Sequence, residues 1–344
     1  MLLSEKSMKT DQMGDTVMKA IWYERFGEAA DVLTFGEMPA PEAGPGEVRV
    51  KLHASSVNPA DTVLRKGMWQ PAFPRIVPNS DGAGIIDQVG KGVTRFIVGQ
   101  RVWLYNGQRN GRAFGTAAEH IAIDERLVTP LPARVSFAEG ATLGIPCMTA
   151  WVCLFMDGPI KGKTVLVTGG AGAVGHYAVQ LAKWGGARVI ATVSSPLKAE
   201  MARNAGADAV IDYRTENVAE SVLNLTDGRG VDRIVEVEFG ANLPTSLKVI
   251  ATNGVIATYA STSEPNPVVP FDLIKGKNVT IHALRLPLMP QELCREAQHD
   301  ITRWLDAGRR RHNIAARYPL SETAAAHQAV EAGNKLGTVI VDCT

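Results

Sequence analysis

The chain has 344 residues and a formal net charge of +1, with 45% hydrophobic and 21% charged residues. That composition belongs to a globular chain long enough for two domains, and its charge balance argues against a general polyanion binder or a membrane-surface protein. No run of about 18 apolar residues is present to span a bilayer. The four cysteines, Cys147, Cys153, Cys294 and Cys343, form no C-x-x-C pair and no even framework, so a reduced, cytoplasmic protein is expected.

Residues 1–17 carry Glu5, Lys6, Lys9, Asp11 and Asp15 without an apolar core. They read as a flexible extension and not as a signal peptide. From Met18 to about Ala141 the chain is rich in turns and β-type residues. Short strands are predicted over Glu47–Ala54, after a Pro45-Gly46 turn, and over Gly82–Gly90, Arg101–Tyr105 and Glu119–Ile123. His53 and His120 fall on such strands and are expected to be packing residues.

The texture then changes. An apolar strand, Lys163–Val167, runs into Gly169, Gly172 and Gly175, spaced G-x-x-G-x-x-G. Val174, Ala178, Leu181, Ala182 and Gly185 share one face of the helix that opens there. A strand, a glycine turn and a helix N-terminus make a phosphate cradle: backbone N–H groups reach the anion and the helix dipole favours its charge. Strands over 188–193, 208–213, 231–237, 254–260 and 278–284 and helices over 196–205 and 243–250 continue the alternation. Six strands in one block predict a doubly wound dinucleotide fold.

At the end of the second strand, where NAD enzymes place an acidic residue on the ribose, stand Ser194 and Ser195. Lys198 lies one turn on, and Tyr213-Arg214 close the third strand. Hydroxyls, an ammonium and a guanidinium suit a phosphomonoester, which favours NADP(H) over NAD(H). Farther on, Leu293, Ala297, Ile301, Trp304 and Leu305 mark an amphipathic helix. The run Arg309-Arg310-Arg311-His312 reads as its charged C-terminus, not a nucleic-acid patch. The β-rich end, Gly337–Val341, is expected to return to the first domain.

These words together resemble the medium-chain dehydrogenase/reductase superfamily, and within it the zinc-independent quinone oxidoreductases, the zeta-crystallin-like group. The matching words are Pro45-Gly46-Glu47-Val48, Ser56-Val57-Asn58-Pro59-Ala60-Asp61, Asp81-Gly82-Ala83-Gly84, Val89-Gly90, Gly144-Ile145-Pro146, Thr149-Ala150 and the glycine motif. The resemblance implies an α/β chain with a GroES-like, mostly-β substrate domain (residues 18–141, completed by about 286–344). It also implies a Rossmann NADP-binding domain (142–285), with a cleft between the two. NADPH is the implied reductant and a quinone the implied substrate class.

Zinc-dependent relatives carry a cysteine where this chain has Asn58 and His-Glu where it has Ser80-Asp81; the segment 93–128 has none of their clustered cysteines. No metal site is expected. Oxidising an alcohol without Lewis-acid help is difficult, whereas a quinone or conjugated enone accepts hydride directly and yields a stabilised oxyanion. The pocket candidates are Asn58, as a hydrogen-bond donor to a carbonyl; Asp61, as an organiser of its loop; and Thr149, which resembles the threonine facing the nicotinamide. The tyrosine often found two places after the acidic residue is Val63 here, which leaves a more apolar pocket. The resemblance assigns Gly169, Ala171, Gly172, Ala173, Val174 and Gly175 to the pyrophosphate. It assigns Ser194, Ser195, Lys198 and Tyr213 to the adenosine end. Tyr259, Ala260, Ser261, Leu284 and Arg285 go to the nicotinamide end.

Two alternatives stand beside quinone reduction. One is reduction of 2-alkenals or enoyl thioesters, for which Arg65-Lys66 and Arg109–Arg112 could serve a pantetheine phosphate. The other is a non-catalytic NADPH- or RNA-binding role; balanced charge and the lack of interleaved aromatic and basic residues argue against nucleic acid as the ligand. The apolar strand 278–284 is expected at a sheet edge, where pairing with a second copy would give a homodimer.

Overall fold

The computed structural model describes residues 17–67, 73–109 and 111–344, so most of the predicted N-terminal extension lies outside the described residues. The first strand begins at Val17, the last residue of the expected extension. β1 (Val17–Trp22) and β2 (Thr34–Pro39) form an antiparallel pair around the short α1 (Ala29–Val32). Then come β3 (Glu47–Val57), α2 (Pro59–Lys66), β4 (Asp81–Val89), β5 (Arg101–Leu104), β6 (His120–Asp124) and β7 (Val128–Pro130). Alternation explains β3: Val48, Val50, Leu52 and Ala54 point into the core while Lys51 faces solvent. The strand runs three residues past the predicted Ala54, because Ser55 and Ser56 find ladder partners at Gly82 and Asp81.

A short helical stretch, α3 (Phe137–Gly140), and a distorted turn over Leu143–Cys147 lead into α4 (Met148–Phe155). The second unit then alternates strand and helix: β8 (Thr164–Val167), α5 (Ala173–Trp184), β9 (Arg188–Val193), α6 (Pro196–Asn204), β10 (Ala209–Asp212) and α7 (Val218–Leu225). It closes with β11 (Val231–Glu236), α8 (Phe239–Val249), β12 (Ile250–Thr258), α9 (Phe271–Lys277) and β13 (Thr280–Ala283). All pairs are parallel, in the order β10-β9-β8-β11-β12-β13. That order reverses between β8 and β11, the crevice where doubly wound sheets take their ligands.

Both ends of α8 differ from the sequence reading. α8 starts at Phe239, not Leu243, although Gly240 to Asn242 lack apolar periodicity. Tertiary bonds hold this first turn, with the Phe239 N–H on the Ala260 carbonyl and the Asn242 amide on Glu236. Ile250 is strand, not helix, because it sits opposite Val231 in the ladder.

α10 (Gln291–Asp306) packs on α4, burying Ala297, Ile301, Trp304 and Leu305. Each fully buried leucine, such as Leu305 or Leu181, contributes about 1.5–3 kcal/mol. The basic run lies just past this helix: the Arg310 Nε donates to the Trp304 carbonyl at 2.6 Å and its guanidinium lies over the Trp304 ring. Arg310 thus satisfies a C-terminal carbonyl of the helix, as the sequence suggested. β14 (Ile314–Pro319), α11 (Thr323–Glu331) and β15 (Thr338–Asp342) follow. β15 pairs with β3, so the chain's last strands join the seven-stranded sheet of the first unit. No described helix is long and apolar enough to cross a membrane.

Candidate active site

The glycine turn lies between the C-terminal end of β8 and the start of α5. Gly169 has φ +64°, a left-handed conformation that favours glycine. A Cβ on Gly175 would come within 2.2 Å of the Gly169 carbonyl, so only glycine permits this packing of helix on turn. Gly172 is the N-cap of α5, with a half-exposed Ala173 and Val174 behind it. The N–H groups of Ala173, Val174 and Gly175 occupy the first helical turn, where no intrahelical acceptor exists. Ala171 is buried under the turn. The cradle therefore fits a pyrophosphate.

Below it lies a fixed floor. The Glu236 carboxylate, at the end of β11, accepts from the Thr168 hydroxyl (2.9 Å), the Glu238 N–H (2.7 Å), the Asn242 amide (2.8 Å) and the Ser246 hydroxyl (3.3 Å). Thr168 in turn accepts the Val237 N–H at 2.9 Å. Glu236 thus ties the ends of β8 and β11 together at the reversal point. Sequence reasoning missed it; its signal was a carboxylate at the C-terminal end of the strand, directly after Ile234 and Val235.

At the end of β9 the structure brings Ser194, Ser195 and Lys198 together. The Lys198 Nζ donates to the Ser194 hydroxyl at 2.9 Å, and Ser195 caps α6 by accepting the Lys198 N–H at 3.3 Å. Tyr213 follows β10 and is 52% exposed, close in the chain to the exposed Arg214. A hydroxyl already joined to an ammonium, with no carboxylate on either serine position, suits a phosphomonoester.

Tyr259, Ala260 and Ser261 leave the end of β12, next to β11 in the sheet. Here the Ser261 hydroxyl accepts the Gly240 N–H at 2.9 Å and donates to the Glu264 carbonyl at 2.5 Å, so it organises its own loop. Leu284 continues past β13 with its N–H on the Thr258 carbonyl, and Arg285 follows, exposed.

The third group is a buried polar cluster at the junction of the two units. Asn58 is the N-cap of α2, and its N–H is accepted by the Asp61 carboxylate at 2.8 Å, a capping arrangement. Asp61 also accepts from the Ser80 hydroxyl (2.8 Å) and the Arg109 guanidinium (2.7 Å). Asp61 thus joins the start of α2 to Ser80 and Arg109. The Asn58 Nδ2 donates to Asp81 at 2.8 Å, and the same Asp81 oxygen accepts the Ile145 N–H at 2.8 Å. Burial, with the Asp61 charge beside it, pushes the Asp81 carboxyl up to about 8, while the bonds from Asn58 and Ile145 pull against that rise. Thr149 is buried one helical turn beyond Ile145, at the start of α4. In the sequence Asp81 belongs to a recognised word but has no assigned role, and Arg109 is offered only to a pantetheine phosphate; both are buried in this cluster.

The histidines and cysteines behave as packing groups. His53 stacks on Phe137 with ring centroids 4.3 Å apart, and His120 faces Asp87 at 3.3 Å. Cys147 is fully buried, and burial alone holds its thiol well above the usual range. Among the described residues no group of three or more His, Cys, Asp or Glu is placed to hold a metal ion. The donors in the zinc relatives' ligand positions are an amide, a hydroxyl and a carboxylate engaged by two N–H groups, a set that does not fit zinc.

Known proteins agree with this architecture. Residues 44–133 match the family described as alcohol dehydrogenase GroES-like domain, and residues 173–298 match the one described as zinc-binding dehydrogenase. The chain is 33% identical over 331 residues to a quinone oxidoreductase of Pseudomonas aeruginosa, covering 94% of this chain and 99% of that protein. It is 31% identical to the rat quinone oxidoreductase, covering 95% of this chain and 98% of that one. It is also similar to the structure of an Escherichia coli quinone oxidoreductase complexed with NADPH, with TM-score 0.80, 26% identity and coverage of 94% of this chain and 99% of that one. A GroES-like unit, a six-stranded parallel dinucleotide sheet and relatives of this likeness along nearly the whole length place the chain in the quinone oxidoreductase group of the medium-chain dehydrogenase/reductase superfamily.

Proposed function

We propose that the chain is an NADPH-dependent, zinc-independent reductase that delivers hydride to a quinone. The observation that carries this reading is the Asn58–Asp61–Asp81–Arg109 cluster. Its side chains bond mainly to one another, and no metal-binding donor set stands in the ligand positions of zinc relatives. A site without a Lewis acid needs an acceptor that is already electrophilic, and a quinone is one. Reduced nicotinamide, when bound, supplies the hydride.

The chain's own residues supply position and electrostatics. Gly169 to Gly175 present the Ala173, Val174 and Gly175 N–H groups to the pyrophosphate. Ser194, Ser195 and Lys198 hold the 2′-phosphate, with Tyr213 beside the adenosine. Tyr259, Ala260, Ser261, Leu284 and Arg285 line the nicotinamide end, and Thr149 faces it from α4. One amide hydrogen of Asn58 is held by Asp81; the second is offered to the substrate carbonyl, where negative charge develops. Val63 in place of a tyrosine keeps the pocket apolar.

The thioester alternative loses support, because its candidate cations are already paired. Arg65 is fully buried against Glu331 and the Gly27 carbonyl, Lys66 faces Glu28 and Glu331, and Arg109 is held by Asp61. A small 2-alkenone remains compatible with the site. The edge position of β13 supports a homodimer, with Val268, Phe271 and Leu273 exposed on the neighbouring segment. Light scattering at micromolar protein tests this; a clean monomer would contradict it. Turnover of 1,4-benzoquinone, a 2-alkenone and an enoyl thioester compared side by side tests the substrate class. The quinone is expected to be fastest, and preference for the thioester would overturn the reading.

A further inference from the structure

Asp81 is the first residue of β4, opposite Ser56 of β3, and is wholly buried. Its backbone is pinned by the Thr116 hydroxyl, which donates to the Asp81 carbonyl at 2.8 Å. One carboxylate oxygen, Oδ2, accepts from two sources on different parts of the molecule. One is the Asn58 amide of the GroES-like unit. The other is the Ile145 N–H, in the turn that leads into α4 and the dinucleotide unit. The other oxygen, Oδ1, is buried with no hydrogen-bond partner. The close approach has its own device: a Cβ on Gly144 would lie 2.2 Å from the Asp81 carboxylate carbon and from Oδ1, so glycine alone admits the side chain there.

Such an arrangement is a poor way to gain stability. A buried carboxyl group with an unpartnered oxygen carries a desolvation cost that an apolar residue would avoid. What the carboxylate does provide is orientation. A carboxylate oxygen that takes a backbone N–H acts as an acceptor, so it turns the NH2 side of the Asn58 amide toward itself and fixes which hydrogen is left over. The Ile145 bond sets the start of the helical run that carries Thr149 one turn later. A single oxygen therefore fixes the two candidate residues, which come from different units, relative to each other.

We propose that Asp81 is a positioning residue for hydride transfer, a latch whose one oxygen orients the Asn58 amide and anchors the Ile145–Thr149 segment across the junction of the two units. The proposal rests on the reading of the site as a quinone reductase. Misplacement of a positioned group by about 1 Å lowers turnover roughly 100-fold. Asp81→Ala is therefore expected to lower kcat on 1,4-benzoquinone by roughly that factor, with NADPH affinity, read by fluorescence titration, changed by less than about threefold. Asp81→Asn keeps an acceptor oxygen for both bonds and is expected to recover at least a tenfold part of the loss, which a role for charge alone would not allow. Gly144→Ala displaces the carboxylate without removing it, and is expected to lower kcat while sparing NADPH binding.

Hydrogen-exchange mass spectrometry of the peptide over residues 143–149 gives a readout independent of turnover. Asp81→Ala should exchange faster there, and Asp81→Asn should stay close to the unsubstituted protein. If the unsubstituted protein reduces no quinone, the functional reading fails, and exchange at this peptide alone decides the latch. A folded Asp81→Ala protein with kcat within threefold of the unsubstituted enzyme would overturn the proposal. So would unchanged exchange at 143–149 in that variant, or an Asp81→Asn protein as impaired as Asp81→Ala.

Discussion

The glycine cradle and the Asp61–Asp81 cluster place charge in opposite ways. The cradle is made of backbone: its first-turn N–H groups point outward, unpaired within the helix, at the mouth of a parallel sheet. The cluster is made chiefly of side chains, from the β3–α2 junction, Ser80, Asp81 and Arg109, that face one another and take one backbone N–H from the turn before α4. The first is open to an anion. The second is closed around two carboxylates of its own and leaves one amide hydrogen to offer. An open, anion-ready surface next to a closed, pre-oriented one suits an enzyme that binds a charged coenzyme and acts on an uncharged acceptor.

If the cluster is a mutually satisfied unit, breaking it should have the largest effect on stability. Arg109→Met leaves the Asp61 carboxylate, fully buried, without its cation. The expected loss is about 3–5 kcal/mol, since removing one partner strands a buried charge. Urea unfolding measures it, and a loss below about 1 kcal/mol would show that water or other groups take over the role of Arg109.

The cradle should answer differently, in affinity more than in fold. Gly175→Ala forces its methyl group against the Gly169 carbonyl and pushes helix from turn. Overpacking of this kind destabilises by about 1–3 kcal/mol, and NADPH affinity is expected to fall at least about tenfold, because the first-turn N–H groups move. Unchanged NADPH binding by fluorescence titration would remove the pyrophosphate from this turn.

The adenosine end sharpens the contrast further. Ser195 caps α6, and aspartate is an equally good cap, so Ser195→Asp changes charge with little change in helix stability. It is expected to reverse the preference for NADPH over NADH. Lys198→Ala should raise KM for NADPH roughly tenfold or more, as expected for losing a hydrogen bond to a charged group, and leave that for NADH nearly unchanged. Equal effects on both coenzymes would place the 2′-phosphate elsewhere.

The smallest expected effect lies beside the cluster, at His327. Its Nε2 meets the Asn79 side-chain oxygen at 2.9 Å, and burial holds the imidazole down to about 4. A histidine neutral when folded takes up a proton on unfolding once the pH drops below its unfolded value of about 6.5. Its contribution is therefore present above that pH and lost as the pH falls toward 4. His327→Gln should flatten the fall in Tm between these limits; an unchanged slope would show that other groups govern acid unfolding.

The cradle was legible in the sequence because its chemistry is local. Gly169, Gly172 and Gly175 lie within one turn of chain, and Ser194, Ser195 and Lys198 within another, so spacing alone places them. The alternation of β8 to β13 was legible for the same reason, since buried parallel strands read as apolar runs. The cluster was only half legible. Asn58 and Asp61 share a helix cap and could be read together. Their partners Asp81, Arg109 and Ile145 come from distant chain positions, and no periodicity reports a contact between them. Glu236 escaped because its donors come together only when α8 folds back over the strand end, bringing Asn242 and Ser246, and β8 pairs with β11, bringing Thr168.

The central claim is hydride delivery from NADPH to an electrophilic acceptor without zinc. Its most direct test follows the reduced-nicotinamide absorbance of chelator-treated protein with 1,4-benzoquinone, using NADPH and NADH in parallel. Rapid quinone-dependent loss of NADPH, slow loss of NADH and no change on adding zinc are the results this account predicts. Turnover abolished by the chelator and restored by zinc, or NADPH binding with no turnover of the quinone, would contradict it.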